Sequence, residues 1–327
     1  MSTPFFTVLI GTRNRPRLLR QALESVIGQD FDDFNVLLIN DGSDQEHMAE
    51  ITALCDEYAD KVRRIDLVHY PRGHGQSYTL NTGALNATGR FLATLDDDDF
   101  WTDMQHLSKA HEALSSFPDA DVYLSNQLAV EAGQSHGKVL WLGAMESICE
   151  AEGLKREHGV YRVAIEQLMR AGGFTHLNCL ILNRELWLNV GNMDEDIRWE
   201  NDRDFYLRVI DNARQILFNP DVVSQHNVPD KSKTDNLTTI HTIHQRMNYQ
   251  LYVLNKVALL TRSPIIAREV RLHTVYVLKK KAEQLYAEKR FDDALFYSRQ
   301  ALCAGRSWKW WLQHVRIATA GLLSRFR

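Results

Sequence analysis

The first 120 residues alternate short apolar runs with amphipathic stretches, a rhythm that few folds accept. Strands buried on both faces and joined by crossover helices give a parallel α/β sheet. Thr7–Ile10 predicts a first strand, and Arg17–Gly28 a helix with Leu18, Leu19, Ala22, Leu23 and Val26 on one face. Asn35–Asn40 predicts a second strand, followed by Asp41-Gly-Ser-Asp44, whose side chains suit capping of a helix over His47–Tyr58. A strand over Ile65–Tyr70, a helix over Tyr78–Ala87 and a strand over Arg90–Leu95 carry the pattern to Asp96-Asp-Asp-Asp99. Open α/β sheets bind ligands beyond the carboxyl ends of their strands, so these polar clusters are where a site is expected.

Between residues 121 and 219 the pattern mixes strands at Val122–Ser125 and Leu180–Asn183 with a helix near Asn201–Ile210. From His241 onward it is almost entirely helical, with breaks at Pro264 and Gly305. This predicts an α/β domain over residues 1–240 and a helical region over 241–327. Residues 281–304 resemble one tetratricopeptide-type helix pair, with Ala282, Leu285, Tyr286, Phe291, Ala294, Leu295, Tyr297 and Ala301 at the packing positions. A lone repeat cannot form an array, so a docked hairpin or a protein-contact surface is expected.

Charge divides at the same place. Residues 241–327 carry 16 Lys and Arg against 5 Asp and Glu, leaving 22 against 37 for residues 1–240. In residues 306–327, Trp308, Trp311, Leu312, Val315, Thr319, Leu322, Leu323 and Phe326 recur at helical spacing, with Arg306, Lys309, Arg316 and Arg327 on the other side. An amphipathic helix with a tryptophan cluster and a basic rim suits an anionic membrane surface better than nucleic acid; the alternative is packing on the body or on a second subunit. Oligomerisation is left open. Composition, at 44% hydrophobic and 24% charged, excludes a disordered chain. Four scattered cysteines without CxxC spacing argue against a zinc cluster or a disulfide framework. With neither a signal-like N-terminus nor an apolar run of about 20 residues, a cytoplasmic protein, peripheral on the inner face of the membrane, is expected.

Four consecutive aspartates repel one another unless a cation compensates them, and oxygen ligands favour Mg²⁺ or Mn²⁺. Taken alone, the run reads equally well as a solvated acidic turn. Its context is Thr7-Val-Leu-Ile-Gly-Thr-Arg-Asn-Arg-Pro16, Leu37-Leu-Ile-Asn-Asp-Gly-Ser-Asp44, Asn81-Thr-Gly-Ala84 and Ala87-Thr-Gly-Arg-Phe-Leu-Ala-Thr-Leu-Asp-Asp-Asp-Asp-Phe-Trp101. In order and spacing these blocks resemble the family two inverting nucleotide-sugar glycosyltransferases, over residues 5–101 and again near 170–208.

The resemblance implies a GT-A fold, Rossmann-like, with a mostly parallel central sheet flanked by helices and here an all-helical C-terminal region. It implies metal-dependent transfer of a sugar, with inversion, from a nucleotide-diphosphate donor to a hydroxyl of a glycan or lipid-linked acceptor, in bacterial surface polysaccharide synthesis. The donor is expected to be a UDP-sugar and the metal Mn²⁺ or Mg²⁺. Thr12 and Arg13 would wall the base pocket, Asp41 would accept from the nucleobase, Asp96 would serve the ribose, and Asp98 the metal, with Asp97 and Asp99 sharing these tasks. Arg13 stands where an aromatic residue is usual, and its planar guanidinium can stack on a base; Leu80 stands where arginine is usual.

The second block, Met193-Asp-Glu-Asp-Ile-Arg-Trp-Glu-Asn-Asp-Arg-Asp-Phe-Tyr-Leu-Arg208, resembles the family's acceptor element, which makes Asp202 the general base. A helix N-terminus would hold that carboxylate ionised, and Glu200 is the reserve base. Asp204 is expected to support the helix start or orient an arginine. His176 and Asn178 would bind acceptor hydroxyls and Trp199 would stack on a sugar. His226 matches a further metal ligand, and Lys231 and Lys233 stand in a loop that would neutralise pyrophosphate. Two alternatives compete. A nucleotidyltransferase should show a glycine-rich basic loop after the first strand, and Gly11-Thr-Arg-Asn-Arg-Pro16 is poor in glycine. A catalytically silent binding scaffold would have no need to keep Asp96, Asp98 and Asp202 together.

Overall fold

The computed structural model describes residues 3–131, 134–227 and 241–325. The chain divides into two compact units, residues 1–233 and 234–327.

In the first unit β1 (Phe6–Thr12), β2 (Phe34–Asn40), β3 (Val62–Asp66) and β4 (Phe91–Thr94) form a parallel block in the order β3-β2-β1-β4. The sheet continues through β10 (Leu180–Asn183), β6 (Val122–Glu131), β11 (Ile216–Asn227), β9 (Val160–Val163) and β8 (Arg156–Glu157). β10 runs antiparallel to both β4 and β6, while β6 and β11 are parallel. Two strands lie off this path: β5 (Phe100–Trp101) on β11, and β7 (Gln134–Leu140) on β6.

Near-continuous apolar runs suit the inner strands because helices cover both faces. Phe6, Val8 and Ile10 of β1 pack with Leu19, Leu23 and Val26 of α1 (Pro16–Ile27). Pro16 opens that helix, where its missing N–H costs nothing. Leu18, expected on the packing face, is instead 42% exposed. α2 (Gln45–Glu57) follows β2, and α3 (Gln76–Asn86) leads into β4 on the opposite face from α1's partners: a Cβ at Gly83 would meet Ile39 at 2.8 Å and Leu9 at 3.1 Å. The third strand lies three residues earlier than expected. Its Val62-Arg-Arg-Ile-Asp sequence conceals it, yet an edge strand that pairs only with β2 can keep charged residues.

Five further helices, α4 (His106–Ser116), α5 (Met145–Ala151), α6 (Ile165–Arg170), α7 (Arg184–Asn189) and α8 (Asn201–Asn212), follow among the described residues of this unit. β11 is bulged between Phe218 and Ser224, and Ser224 pairs with Trp101. That small ladder draws the end of the Asp96–Asp99 run against the end of β11.

The second unit is helical: Ile243–Leu260, Pro264–Ala287, Phe291–Ala304 and Trp308–Ser324. Thr242, Ser263 and Ser307 cap three of these helices with their hydroxyls. Leu278, Ala282, Leu285, Ala294, Ala301, Trp310 and Ile317 form the unit's core. The expected hairpin is present with these packing positions, but its first arm begins at Pro264, well before residue 281. No helix among the described residues is long and apolar enough to cross a membrane.

Candidate active site

The loops after β1, β2 and β4 meet at one end of the sheet. Thr12 is buried and donates its hydroxyl to Asp97 at 2.7 Å. Arg13 donates to the carbonyls of Tyr70 and Pro71 at 2.9 and 3.1 Å. Asp41 accepts from the backbone N–H groups of His74, at 2.7 Å, and Gly75, at 3.0 Å. Arg13 and Asp41, two of the three residues expected at the nucleobase, therefore fold the 70–75 segment over the strand ends. Gly42 makes the fold of this corner possible: its φ is +62°, and a Cβ there would come within 2.7 Å of the His69 backbone.

The acidic run is held from several sides. Asp96 accepts from Gln76 Nε2 at 3.0 Å, and Asp97 from Thr12 and from Arg15 at 3.3 Å. Asp98 pairs with Arg15 at 2.9 Å, and Asp99, fully buried, accepts from Asn178 Nδ2 at 2.6 Å and from the Asn227 N–H at 2.9 Å. His226 Nδ1 lies 2.9 Å from Asp99 Oδ2. Burial, then the charges of Asp98 and Asp99, push the Asp96 carboxyl up to about 8. Burial pushes Asp97 up to about 7 against the pull of Arg15. Three groups bring ligand atoms within 4.8 Å of one another: Asp96, Asp99 and His176. Two carboxylates and an imidazole suit Mn²⁺ as a donor set. The sequence expectation named Asp98 and His226 as ligands, and neither is among these three groups. Asp98 is turned toward Arg15, and His226 supports Asp99 from beside the cluster, its ring 5.2 Å from that of His176.

His176 caps a 3₁₀ turn, Leu177–Cys179, with Asn178 at its centre, tied to β4 where the Thr94 hydroxyl donates to the Leu177 carbonyl at 2.6 Å. Asn178 was expected to meet acceptor hydroxyls. It is buried, its oxygen accepting from the Asp96 N–H at 2.9 Å and its nitrogen donating to Asp99, so it holds the acidic loop. Across from this turn, α8 begins with Glu200 in the left-handed region at φ +67°. Asn201 donates to Gln76 Oε1 at 3.0 Å, so Gln76 bridges α8 to Asp96.

Asp202 follows on the first turn of α8, and its charge and that of His176 act on each other. The helix N-terminus does not keep Asp202 an ordinary carboxylate: burial raises its pKa, opposed by His176 and reinforced by Glu200. Burial lowers the His176 pKa, against the pull of Asp202. Glu200 pairs with Arg203 at 2.5 Å, and Asp204 accepts from Arg208 at 2.7 and 3.0 Å, the supporting role expected of it. Trp199 is partly buried. Lys231 and Lys233 lie outside the described residues.

Three residues that the sequence reading left without a role take part. Arg15 and Gln76 stand at helix starts beside the acidic run, within or next to the quoted motif blocks. Trp141, 38% exposed, holds φ at +64° and lies parallel to the His176 ring with centroids 6.3 Å apart. No local pattern in the sequence distinguishes it.

Residues 7–147 match the family model described as Glycosyl transferase family 2. The succinoglycan biosynthesis protein ExoW of Rhizobium meliloti (strain 1021) is 32% identical over 182 residues, 54% of each chain. The putative glycosyltransferase EpsH of Bacillus subtilis (strain 168) is 31% identical over 101 residues, 31% of this chain and 28% of its own. The chain thus spans about half the length, or less, of these relatives. Among solved structures, S. aureus TarS 1–349 in complex with UDP-GlcNAc superposes with a TM-score of 0.66 at 15% identity, covering 91% of this chain and 81% of that one. The mannosyltransferase PcManGT from Pyrobaculum calidifontis, in complex with GDP-Man and Mn²⁺, gives 0.59 at 17% identity, covering 100% and 88%. Over residues 7–147 the chain is thus similar to glycosyl transferase family 2, and it shares the GT-A fold of these neighbours.

Proposed function

We propose that the protein transfers a sugar, with inversion, from a nucleotide-diphosphate sugar to a hydroxyl of a glycan or lipid-linked acceptor in polysaccharide synthesis. The observation that carries this reading is the convergence, at His176, of the carboxylates at the end of β4 with Asp202 at the start of α8. One end of the sheet then offers a donor side and an acceptor side.

Asp96, Asp99 and His176 would hold Mn²⁺ or Mg²⁺, with Asp98 and His226 beside them. Bound there, the ion would offset the charge of the donor diphosphate. Asp202 takes the proton from the acceptor hydroxyl as its oxygen bonds to the anomeric carbon and the bond to the diphosphate breaks on the opposite face. A carboxyl raised toward the working pH is the stronger base for this step. Glu200, already paired with Arg203, is the weaker candidate. Thr12, Arg13, Asp41 and Asp97 shape the nucleotide side through the loops they hold, and Lys231 and Lys233 would meet the diphosphate. Trp141, parallel to the His176 ring, offers a face for an acceptor sugar, and Trp199 would offer a second. The relative named for succinoglycan biosynthesis supports a polysaccharide product. The neighbours bound to UDP-GlcNAc and GDP-Man support a nucleotide-sugar donor, for which we favour a UDP-sugar. The tryptophan-rich terminal helix supports action on the inner membrane face.

A panel of UDP- and GDP-sugars, scored for thermal stabilisation with Mn²⁺ and with chelator, tests this reading. A donor present at 100 times its Kd adds about 2.7 kcal/mol of stability. One donor should stabilise the protein in the presence of the ion and much less with chelator. A panel in which none does so would remove the donor assignment.

A further inference from the structure

The terminal helix Trp308–Ser324 packs on its neighbours through Trp310 and Ile317, both in the core of the second unit, while His314 lies 3.1 Å from the Ser298 hydroxyl. At roughly 100° per residue, those positions face directly away from the tryptophan stripe. The stripe itself is bare: Trp308 is 71% exposed, Trp311 55% and Leu323 63%, with Leu312, Val315 and Leu322 also exposed. Lys309 and Arg316 run along one border of it.

At the amino end of this helix lies an open groove of about 760 Å³, bounded by the start of helix Pro264–Ala287 and the Ala304–Ser307 connection. Arg268, Arg271, Lys279 and Arg306 line it, and no acidic residue does. Arg268, Arg271 and Arg306 are exposed and make no ion pair with any described residue, and Lys279 lies over the Trp310 ring at 5.5 Å. Leu272 and Val275 supply an apolar wall, and Ser307, the cap of the terminal helix, joins the groove to the stripe.

We infer that this groove and stripe together form a docking surface for an anionic phospholipid bilayer, with headgroup phosphates in the groove and the tryptophan stripe at the acyl boundary. Unpaired arginines with an apolar wall match a phosphate that carries a hydrocarbon chain. A second copy of the chain fits less well, because a symmetric contact would bring the same uncompensated cations face to face. The inference rests on the reading of the terminal helix as membrane-facing and adds the groove as its charge-selective part.

The test is co-sedimentation of the full chain with vesicles of phosphatidylcholine alone or with added phosphatidylglycerol. The proteins compared are wild type, R268Q/R271Q/R306Q, and W308S/W311S. Wild type should bind only the anionic vesicles, and less as salt rises. The triple arginine variant should lose on the order of a hundredfold in partitioning, while its thermal unfolding and its stabilisation by donor stay as in wild type. If the arginine variant binds like wild type while the tryptophan variant is released, the groove has no part and the membrane reading stands. If wild type binds neither vesicle, both fall. Dimerisation that is abolished in the tryptophan variant, without vesicle binding, would assign the stripe to a second copy.

Discussion

Asn178 spends its side chain on the acidic loop, donating to Asp99 and accepting from the Asp96 N–H, residues 79 and 82 positions earlier in the chain. Asn178→Ala leaves a buried carboxylate with one donor fewer, so stability should fall by about 1–3 kcal/mol. Manganese affinity should fall by tenfold to a hundredfold, as for partners that orient ligands. Calorimetric titration with Mn²⁺ checks this, and unchanged affinity would reduce Asn178 to a packing residue. The sequence could not reveal the role. Gly172-Gly-Phe-Thr-His-Leu-Asn178 reads as well as an ordinary turn as it does as an acceptor-side segment, and only the antiparallel crossing of β10 beside β4 brings it to the aspartates. The same crossing makes His176, read as an acceptor contact, a partner of Asp96 and Asp99. The positions of Asp41 after β2 and of Asp202 on the first turn of α8 were legible because strand and helix ends define where their motifs sit. Arg15 and Gln76 were not, since their partners lie on other elements.

Helix α4 opens with a histidine that the molecule keeps neutral. His106 is fully buried, its ring 4.8 Å from that of Trp101, and neither ring nitrogen has a hydrogen-bond partner among the described residues. Burial pulls its pKa down to about 4. The unfolded chain would take up a proton near pH 6.5 while the folded chain resists until about 4, so stability is full above pH 6.5 and is lost as pH falls. At pH 5 this amounts to about 2 kcal/mol. Thermal unfolding of wild type and His106→Leu, followed from pH 7 to 5, should diverge by that amount; parallel profiles would place His106 outside the acid response. Elements differed in how well the sequence disclosed them. β1 and β2 carry near-continuous apolar runs and were found to within two residues at each end. β3 was misplaced because an edge strand tolerates the arginines that hid it. The terminal helix was legible as amphipathic, whereas its packing through Trp310 and Ile317, away from the larger stripe, depends on the neighbouring helix.

At the scale of the whole molecule, the near-neutral charge conceals an acidic first unit and a basic second unit, each with its own core. The first concentrates carboxylates where a cation would bind them. The second leaves arginines and tryptophans bare where a lipid surface would meet them. The fold class followed from the βα rhythm and the motif blocks, but which carboxylates lie beside His176 follows only from the three-dimensional order of β4, β10 and β11.

The central claim is that Asp202 accepts the proton of the attacking hydroxyl. Its most direct test is Asp202→Asn, assayed with Mn²⁺ and the donor chosen by the panel, for release of nucleoside diphosphate and for donor-induced thermal shift. Turnover should fall by about 10²- to 10⁴-fold while the thermal shift stays as in wild type. Turnover within about threefold of wild type, a loss far below that expected of a general base, would contradict the assignment.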